Sequence, residues 1–302
     1  MNKTIAAIGV FDGVHKGHAK IILAAARQAR KEGLRPIVIT FDPHPCSVLL
    51  GAKAAPSIIS TPHRLRLIRG LGIRKCEVIR FSKKFASMAP RVFARDILIK
   101  KFNVRKVYVG KNFVFGKNNS GNSDILKGLG KELGFGVGIV PLARAGGRVI
   151  SSTAIREMIG RGDLGGARSM LGRPVSVSGT VVSGKKRGRL LGFPTANIDP
   201  HHEVIPPSGV YAVKVALKDA RRYGGALFIG SPETFGEEEP VVEVHIFGFH
   251  SFIYNEPIEV EFVKRLRGNR KFRSREALIG QIRRDDKRAR EILGVKGNNA
   301  LQ

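Results

Sequence analysis

Phe11-Asp12-Gly13-Val14-His15-Lys16-Gly17-His18, preceded by Thr4-Ile5-Ala6-Ala7-Ile8-Gly9-Val10, is the stretch on which the reading of the first half turns. Residues 4–10 are a short apolar run rich in β-branched side chains, the pattern of a buried strand. From Gly17 to Lys31, Ala, Ile and Leu recur at helical spacing with Arg and Lys between them, and Gly33 stands where a helix would stop. Pro36-Ile37-Val38-Ile39-Thr40-Phe41 then reads as a second buried strand. The two strands and the helix make a βαβ unit, which predicts a parallel sheet. Arg105–Gly110 and Gly136–Val140 read as further strands, each after a helical stretch, so the first half is α/β.

The eight quoted residues therefore sit between a strand and a helix N-terminus, where open α/β sheets bind ligands and helices attract phosphate. His15 and His18, three apart, would share one face of the first helical turn and could hydrogen-bond a triphosphate. Gly13 and Gly17 remove side chains where a nucleotide must come close. Two surface histidines capping a helix would give the same pattern. A second cluster, Ile150-Ser151-Ser152-Thr153-Ala154-Ile155-Arg156, opens another helical stretch. Its hydroxyls suit a helix cap, and Arg156, one turn in, suits phosphate.

Near Leu171-Gly172-Arg173-Pro174 the pattern changes. Strands follow one another over Val175–Val182, Gly209–Ala216, Gly225–Ile229, Val241–Phe247 and Glu256–Arg265, and one amphipathic helix, about Ser274 to Leu293, closes the chain. Consecutive strands without helical crossovers predict an antiparallel barrel. The expected domains are residues 1–170 and 171–302. In the second, Gly179-Thr180-Val181-Val182-Ser183-Gly184-Lys185-Lys186-Arg187-Gly188-Arg189-Leu190-Leu191-Gly192-Phe193-Pro194-Thr195-Ala196-Asn197 carries glycines at 184, 188 and 192 with basic residues between them. It is no P-loop, yet Gly184, Lys185, Gly188, Arg189 and Gly192 form a cationic loop suited to phosphates. Thr195 and Asn197, two apart in an extended segment, face one side and could hold Mg²⁺.

Composition bounds the rest. The chain has 302 residues, 42% hydrophobic and 25% charged, as in globular proteins, and no apolar stretch of the ~20 residues a membrane span needs. The N-terminal apolar run lacks a small-residue cleavage site and reads as a strand rather than an export signal. Cys46 and Cys76 are then reduced thiols in a cytoplasmic protein. The net charge is +29, and residues 1–172 hold 31 Lys and Arg against 9 Asp and Glu. Such an excess attracts nucleic acid, or reflects a general basic bias together with a need to bind ATP. The basic residues are spread thinly and no nucleic-acid motif accompanies them, which favours the second reading. A basic RNA-associated protein with an inert nucleotide fold is the binding-class alternative. The sequence is compatible with an oligomer.

Taken together, Phe11–His18, Thr40-Phe41-Asp42-Pro43-His44-Pro45, Tyr108–Gly116 and Ile150–Arg156 resemble the FMN adenylyltransferase module of bacterial bifunctional riboflavin kinase/FAD synthetases. The 179–197 stretch, Gly209–Val213, Val242-Glu243-Val244-His245-Ile246 and the segment Arg267–Phe272 resemble its riboflavin kinase module. The resemblance implies a Rossmann-like nucleotidyltransferase domain with a parallel sheet, followed by a β-barrel kinase domain. ATP would be the co-substrate, with riboflavin, FMN and FAD as substrates and products. It implies that His15 and His18 bind the ATP phosphates and that Ser152 and Arg156 hold the departing pyrophosphate. Asn112 and the loop carrying Phe41 and Asp42 would contact flavin or nucleotide. In the kinase it makes Glu243, a carboxylate within a buried strand, the general base, and it puts riboflavin near Arg267 and Phe272. The chain departs from the family's pattern at Lys111, Val114, Phe228 and Glu233. The last two motivate an alternative: an adenylyltransferase with a weakened or inactive kinase barrel.

Overall fold

The computed structural model describes residues 3–184, 188, 191–201, 203–219, 221–230 and 241–295. Contacts divide the chain into two compact units, one of Met1–Thr153 with Met170–Gly172, the other of Ala154–Ser169 with Arg173–Gln302. The domains expected from the sequence meet at residues 170 and 171; contacts group residues 154–169 with the second unit and 170–172 with the first.

In the first unit, β1 (Thr4–Ile8) leads to α1 (Lys16–Lys31) and β2 (Arg35–Asp42). Then come α2 (Thr61–Gly70), β3 (Cys76–Arg80), β4 (Val104–Gly110), α3 (Ser123–Leu133) and β5 (Gly136–Val140). The five strands form one parallel sheet in the order β3-β2-β1-β4-β5. All of β1 is buried because it lies between β2 and β4, with Ile5 pairing Pro36 on one side and Lys106 on the other. A strand covered on both faces has no polar side to show, hence its unbroken apolar run. Ala6, Ile8, Ile37, Ile39, Val107 and Leu98 belong to one core cluster, and each fully buried Ile or Leu contributes about 1.5–3 kcal/mol. Beyond β5, α4 (Ser152–Arg161) carries the second motif and runs from the first unit into the second.

The second unit contains β6 (Ser176–Val182), β7 (Ala196–Asp199), β8 (Gly209–Ala216), β9 (Arg222–Ile229), β10 (Val242–Ile246), β11 (Pro257–Arg267) and α5 (Arg275–Leu293). The strands close into an antiparallel barrel in the order β6-β7-β10-β9-β8-β11. Alternation along β8 sends Val210 and Ala212 outward, into a cluster with Phe247, Leu266 and Ala289 of α5. Tyr211, on the opposite face, meets Phe262 edge to face at 5.3 Å. Ser274 caps α5 by accepting from the Ala277 amide, and Gly294 ends it in the left-handed conformation.

Candidate active site

In the first unit the site grows from the end of β1. Gly13, with φ +83°, turns the chain, and a Cβ there would lie 2.9 Å from Ile58 Cδ1. His15 is the N-cap of α1: its Nδ1 accepts from the His18 amide at 3.1 Å. Its ring stacks on His18 with centroids 3.5 Å apart, and Phe11 meets His18 edge-on at 5.3 Å. Gly17 leaves room for this, since a Cβ would be 3.1 Å from the His15 ring. Burial first, then the charges of His15 and Arg64, hold His18 well below the usual imidazole range. Its Nδ1 is buried and has no hydrogen-bond partner among the described residues. A neutral imidazole keeps one N–H, the donor that a phosphate oxygen needs.

Ser152 lies beside this turn, its hydroxyl donating to the Asp12 carbonyl at 2.9 Å. The bond spans 140 residues and joins the start of α4 to the turn after β1. Arg156 follows one turn later on the same helix. The Asp12 carboxylate accepts from the Ile58 and Ile59 amides at 2.9 and 3.3 Å, which seats the segment leading to α2.

Arg64 of α2, which the sequence reading did not single out, is 3% exposed beneath this site. It donates to the Val10 carbonyl at 3.0 Å, the Phe41 carbonyl at 2.7 Å and the Thr61 hydroxyl at 2.9 Å. It therefore ties the carboxyl ends of β1 and β2. Burial pulls its pKa down, while Asp12 and Asp42 oppose the fall. The neighbouring His63 is fully buried. The only sequence cue was Ser60-Thr61-Pro62, a helix start with proline in the first turn.

Phe41 is buried, edge-on to Phe81 at 5.9 Å. Asp42 is exposed and accepts from the Thr61 hydroxyl at 2.6 Å. Asn112 and Lys111 sit exposed after β4, and Val114 is 52% exposed.

In the barrel, Thr195, Asn197 and Glu243 come together. Asn197 pairs directly with Glu243 between β7 and β10, and the Thr195 hydroxyl donates to Glu243 Oε2 at 3.3 Å. Val242, Val244 and Ile246 are buried, whereas Glu243 lies on the other face, half-buried. Strand alternation thus corrects the expectation of a carboxylate within a buried strand: the strand is buried on one side only. Phe228 stands opposite Glu243 on β9 and packs against the cluster under α5. A Cβ on Gly184 would collide with the Asn197 side chain, and one on Gly188 would lie 2.9 Å from Thr195 Oγ1. Gly184 and Gly188 lie this close to the two side chains only because both lack a Cβ. Gly192 takes φ +86°. Lys185, Arg189 and Glu233 lie outside the described residues.

A cavity of about 270 Å³ adjoins Thr195, lined also by Pro194, Ile246, His250, Phe252 and Tyr254. Phe252 and Tyr254 stack with centroids 6.2 Å apart, and Phe252 is 77% exposed. Arg267 is bound to α5: its Nε and Nη2 reach Asp285 Oδ2 at 2.9 and 2.8 Å. Its guanidinium carbon lies 5.8 Å from the Phe272 ring.

The donor set around Thr195 is oxygen-rich and suits a hard cation. Among the described residues no group of three or more His, Cys, Asp or Glu could hold a metal ion by itself. Mg²⁺ carried on a nucleotide's phosphates, with one or two protein oxygens added, fits what is present.

Paired histidines at a strand–helix turn and a Thr195–Asn197–Glu243 cluster on a barrel, on separate supports, fit a two-site nucleotide-using transferase. Residues 1–154 match the family described as FAD synthetase, and residues 171–293 match riboflavin kinase. The chain belongs to the family of bifunctional riboflavin kinase/FMN adenylyltransferases. Proteins of that description from Escherichia coli K12 and Bacillus subtilis 168 are 34% and 37% identical to it, each over 95% of this chain and 92% of the relative. One from Listeria monocytogenes is 37% identical over 96% of this chain and 92% of its own. A crystal structure described as a macrolide-efflux protein from Streptococcus pneumoniae superposes with a TM-score of 0.82 at 32% identity, covering 96% of this chain and 94% of that one. Among the described residues no helix is long and apolar enough to cross a membrane.

Proposed function

We propose that the chain makes FAD from riboflavin in two ATP-dependent steps, with residues 1–170 as the adenylyltransferase and 171–302 as the kinase. In the first step Glu243 takes the proton from the riboflavin 5′-hydroxyl as that oxygen attacks the γ-phosphorus, and ADP leaves. Glu243 has the chemistry of a general base, and the hydrogen bond it accepts from the Thr195 hydroxyl supports that role. Mg²⁺, when bound with ATP, neutralises phosphate charge, and Thr195 and Asn197 are the residues to hold it. Gly184, Lys185, Gly188, Arg189 and Gly192 enclose the phosphates, and the cavity beside Thr195, with its two exposed rings, suits the nucleotide base. Arg267 and Phe272 border the flavin.

In the second step an FMN phosphate oxygen displaces pyrophosphate at the α-phosphorus of ATP. His15 and His18 hydrogen-bond the phosphates as charge builds, and Ser152 and Arg156 hold the departing pyrophosphate. The catalysis is positioning and charge neutralisation, without a covalent enzyme intermediate. Gly13 lets the nucleotide approach, and Phe41, Asp42 and Asn112 border the flavin or nucleotide. ATP and riboflavin meet in the cytoplasm, where we place the reaction.

The observation that carries this reading is the stacked His15–His18 pair at the start of α1, in the turn whose Asp12 carbonyl accepts from the Ser152 hydroxyl. Pure protein with riboflavin, ATP and Mg²⁺ should yield FMN and then FAD by liquid chromatography, and FMN with ATP should yield FAD and pyrophosphate. No FAD from supplied FMN would refute the adenylyltransferase, and no FMN from riboflavin would refute the kinase.

A further inference from the structure

The face of β10 that carries Glu243 carries a second polar group, His245, for which the steps above have no use. Its Nδ1 lies 2.8 Å from the Pro194 carbonyl oxygen. A carbonyl only accepts, so Nδ1 bears a proton and donates it. Nε2 faces Asp286 Oδ2 of α5 at 3.5 Å. Burial pushes the Asp286 carboxyl up, His245 and Arg290 pull it down, and Asp285 adds to the rise. The edges of Phe193 and Phe247, at 5.9 and 5.7 Å, hold the imidazole plane.

Pro194 has no N–H, so its carbonyl is its one backbone hydrogen-bonding group. The β7–β10 ladder begins at Ala196, opposite Val244, and leaves Pro194 and Thr195 ahead of it. His245 supplies the tie that the ladder does not. We infer that His245, braced by Asp286 of the terminal helix, is a positioning residue of the phosphorylation step. Its bond to Pro194 fixes the backbone from which Thr195 presents its hydroxyl to the phosphates and their Mg²⁺. It touches no substrate, and the inference rests on the kinase reading above.

The test is a Mg²⁺ titration of FMN formation at saturating ATP and riboflavin, with FAD formation from supplied FMN measured on the same samples. His245→Asn keeps an N–H where Nδ1 stands, His245→Gln carries one at the Nε2 end, and His245→Ala carries neither. One lost hydrogen bond predicts about a tenfold rise in the Mg²⁺ needed for half-maximal FMN formation by the Ala and Gln variants, with Asn within about twofold of the parent. FAD formation should be unchanged in all three. Equal behaviour of Asn and Gln would overturn the inference, as would a fall in kcat with the Mg²⁺ requirement unmoved. A parallel loss of both activities would overturn it too, since that reports general unfolding. If the parent itself forms no FMN, the kinase reading fails and takes this inference with it. Normal parent turnover with indifferent variants defeats the inference alone.

Discussion

Arg64→Met keeps the unbranched reach of the side chain and removes its charge, which isolates what the buried guanidinium does for the first site. Three bonds are lost, to the Val10 and Phe41 carbonyls and the Thr61 hydroxyl, at 3.0, 2.7 and 2.9 Å. A bond from a charged donor contributes about 1.5–3 kcal/mol. Against this stands the cost of holding a guanidinium away from water, several kcal/mol for a buried ion, which methionine does not incur. The Val10 carbonyl also keeps the Thr40 hydroxyl at 2.9 Å, which limits the damage. The balance is a net loss of about 2–4 kcal/mol, because removing one member of a buried polar network leaves its acceptors poorly paired. The chain contains no Trp, so urea unfolding is best followed by far-ultraviolet circular dichroism. Adenylylation of FMN should fall with the stability, since the turn bearing His15 and His18 leaves β1 just beyond Val10. Phosphorylation of riboflavin should be unaffected. A loss below about 1 kcal/mol, or unchanged FAD formation, would refute the claim that Arg64 ties the two strand ends.

His18→Ala should abolish FAD formation from FMN and leave FMN formation largely intact; chromatography of both products checks this, and joint loss would contradict the division of labour. Glu243→Gln should do the reverse, lowering FMN formation by roughly 10²–10⁴, the usual contribution of a general base, because an amide cannot accept the proton. Wild-type FMN formation by that variant would remove Glu243 from its role. For pH, the pKa of His18 is lower in the folded chain than in the unfolded one. Below about pH 6.5 the unfolded chain therefore binds a proton that the folded one refuses, and stability declines as pH falls, by up to ~1.4 kcal/mol per pH unit. Urea midpoints between pH 7.5 and 5 should show a shallower slope for His18→Phe than for the parent, and identical slopes would exclude His18 as the source.

Where local pattern and tertiary demand coincide, the chain is easy to read. β1, α1 and β2 show in the apolar run of residues 4–10 and the helical spacing after Gly17, because a strand buried on both faces and an amphipathic helix each leave a one-dimensional trace. Five of the six barrel strands show likewise, although β9 begins at Arg222 and β11 extends to Arg267, since pairing with β8 carries both past their apolar cores; β7, four residues long and without an apolar run, left no such trace. β3 was not anticipated: at the sheet edge it is only partly buried, and Cys76-Glu77-Val78-Ile79-Arg80 alternates weakly. The histidine pair and Ser152 were legible as motifs, but their meeting through the Asp12 carbonyl spans 140 residues and has no local signature. Arg64 was invisible for a related reason. An arginine among Thr61-Pro62-His63-Arg64-Leu65-Arg66 looks like a solvated helix face, and only the convergence of β1 and β2 makes it an interior group. The outward face of Glu243 follows from strand parity, which could be set only once Val242 and Val244 were known to point into the barrel.

The ion pair between Arg267 and Asp285 and the contact of His245 with Asp286 both lead from the barrel to α5. As the polypeptide leaves the ribosome, every barrel strand is out before this helix is, so a nascent chain can carry all six strands and still lack the two carboxylates that Arg267 and His245 meet. Competence to make FMN should therefore arrive late and abruptly, with the emergence of one helical turn around residue 285.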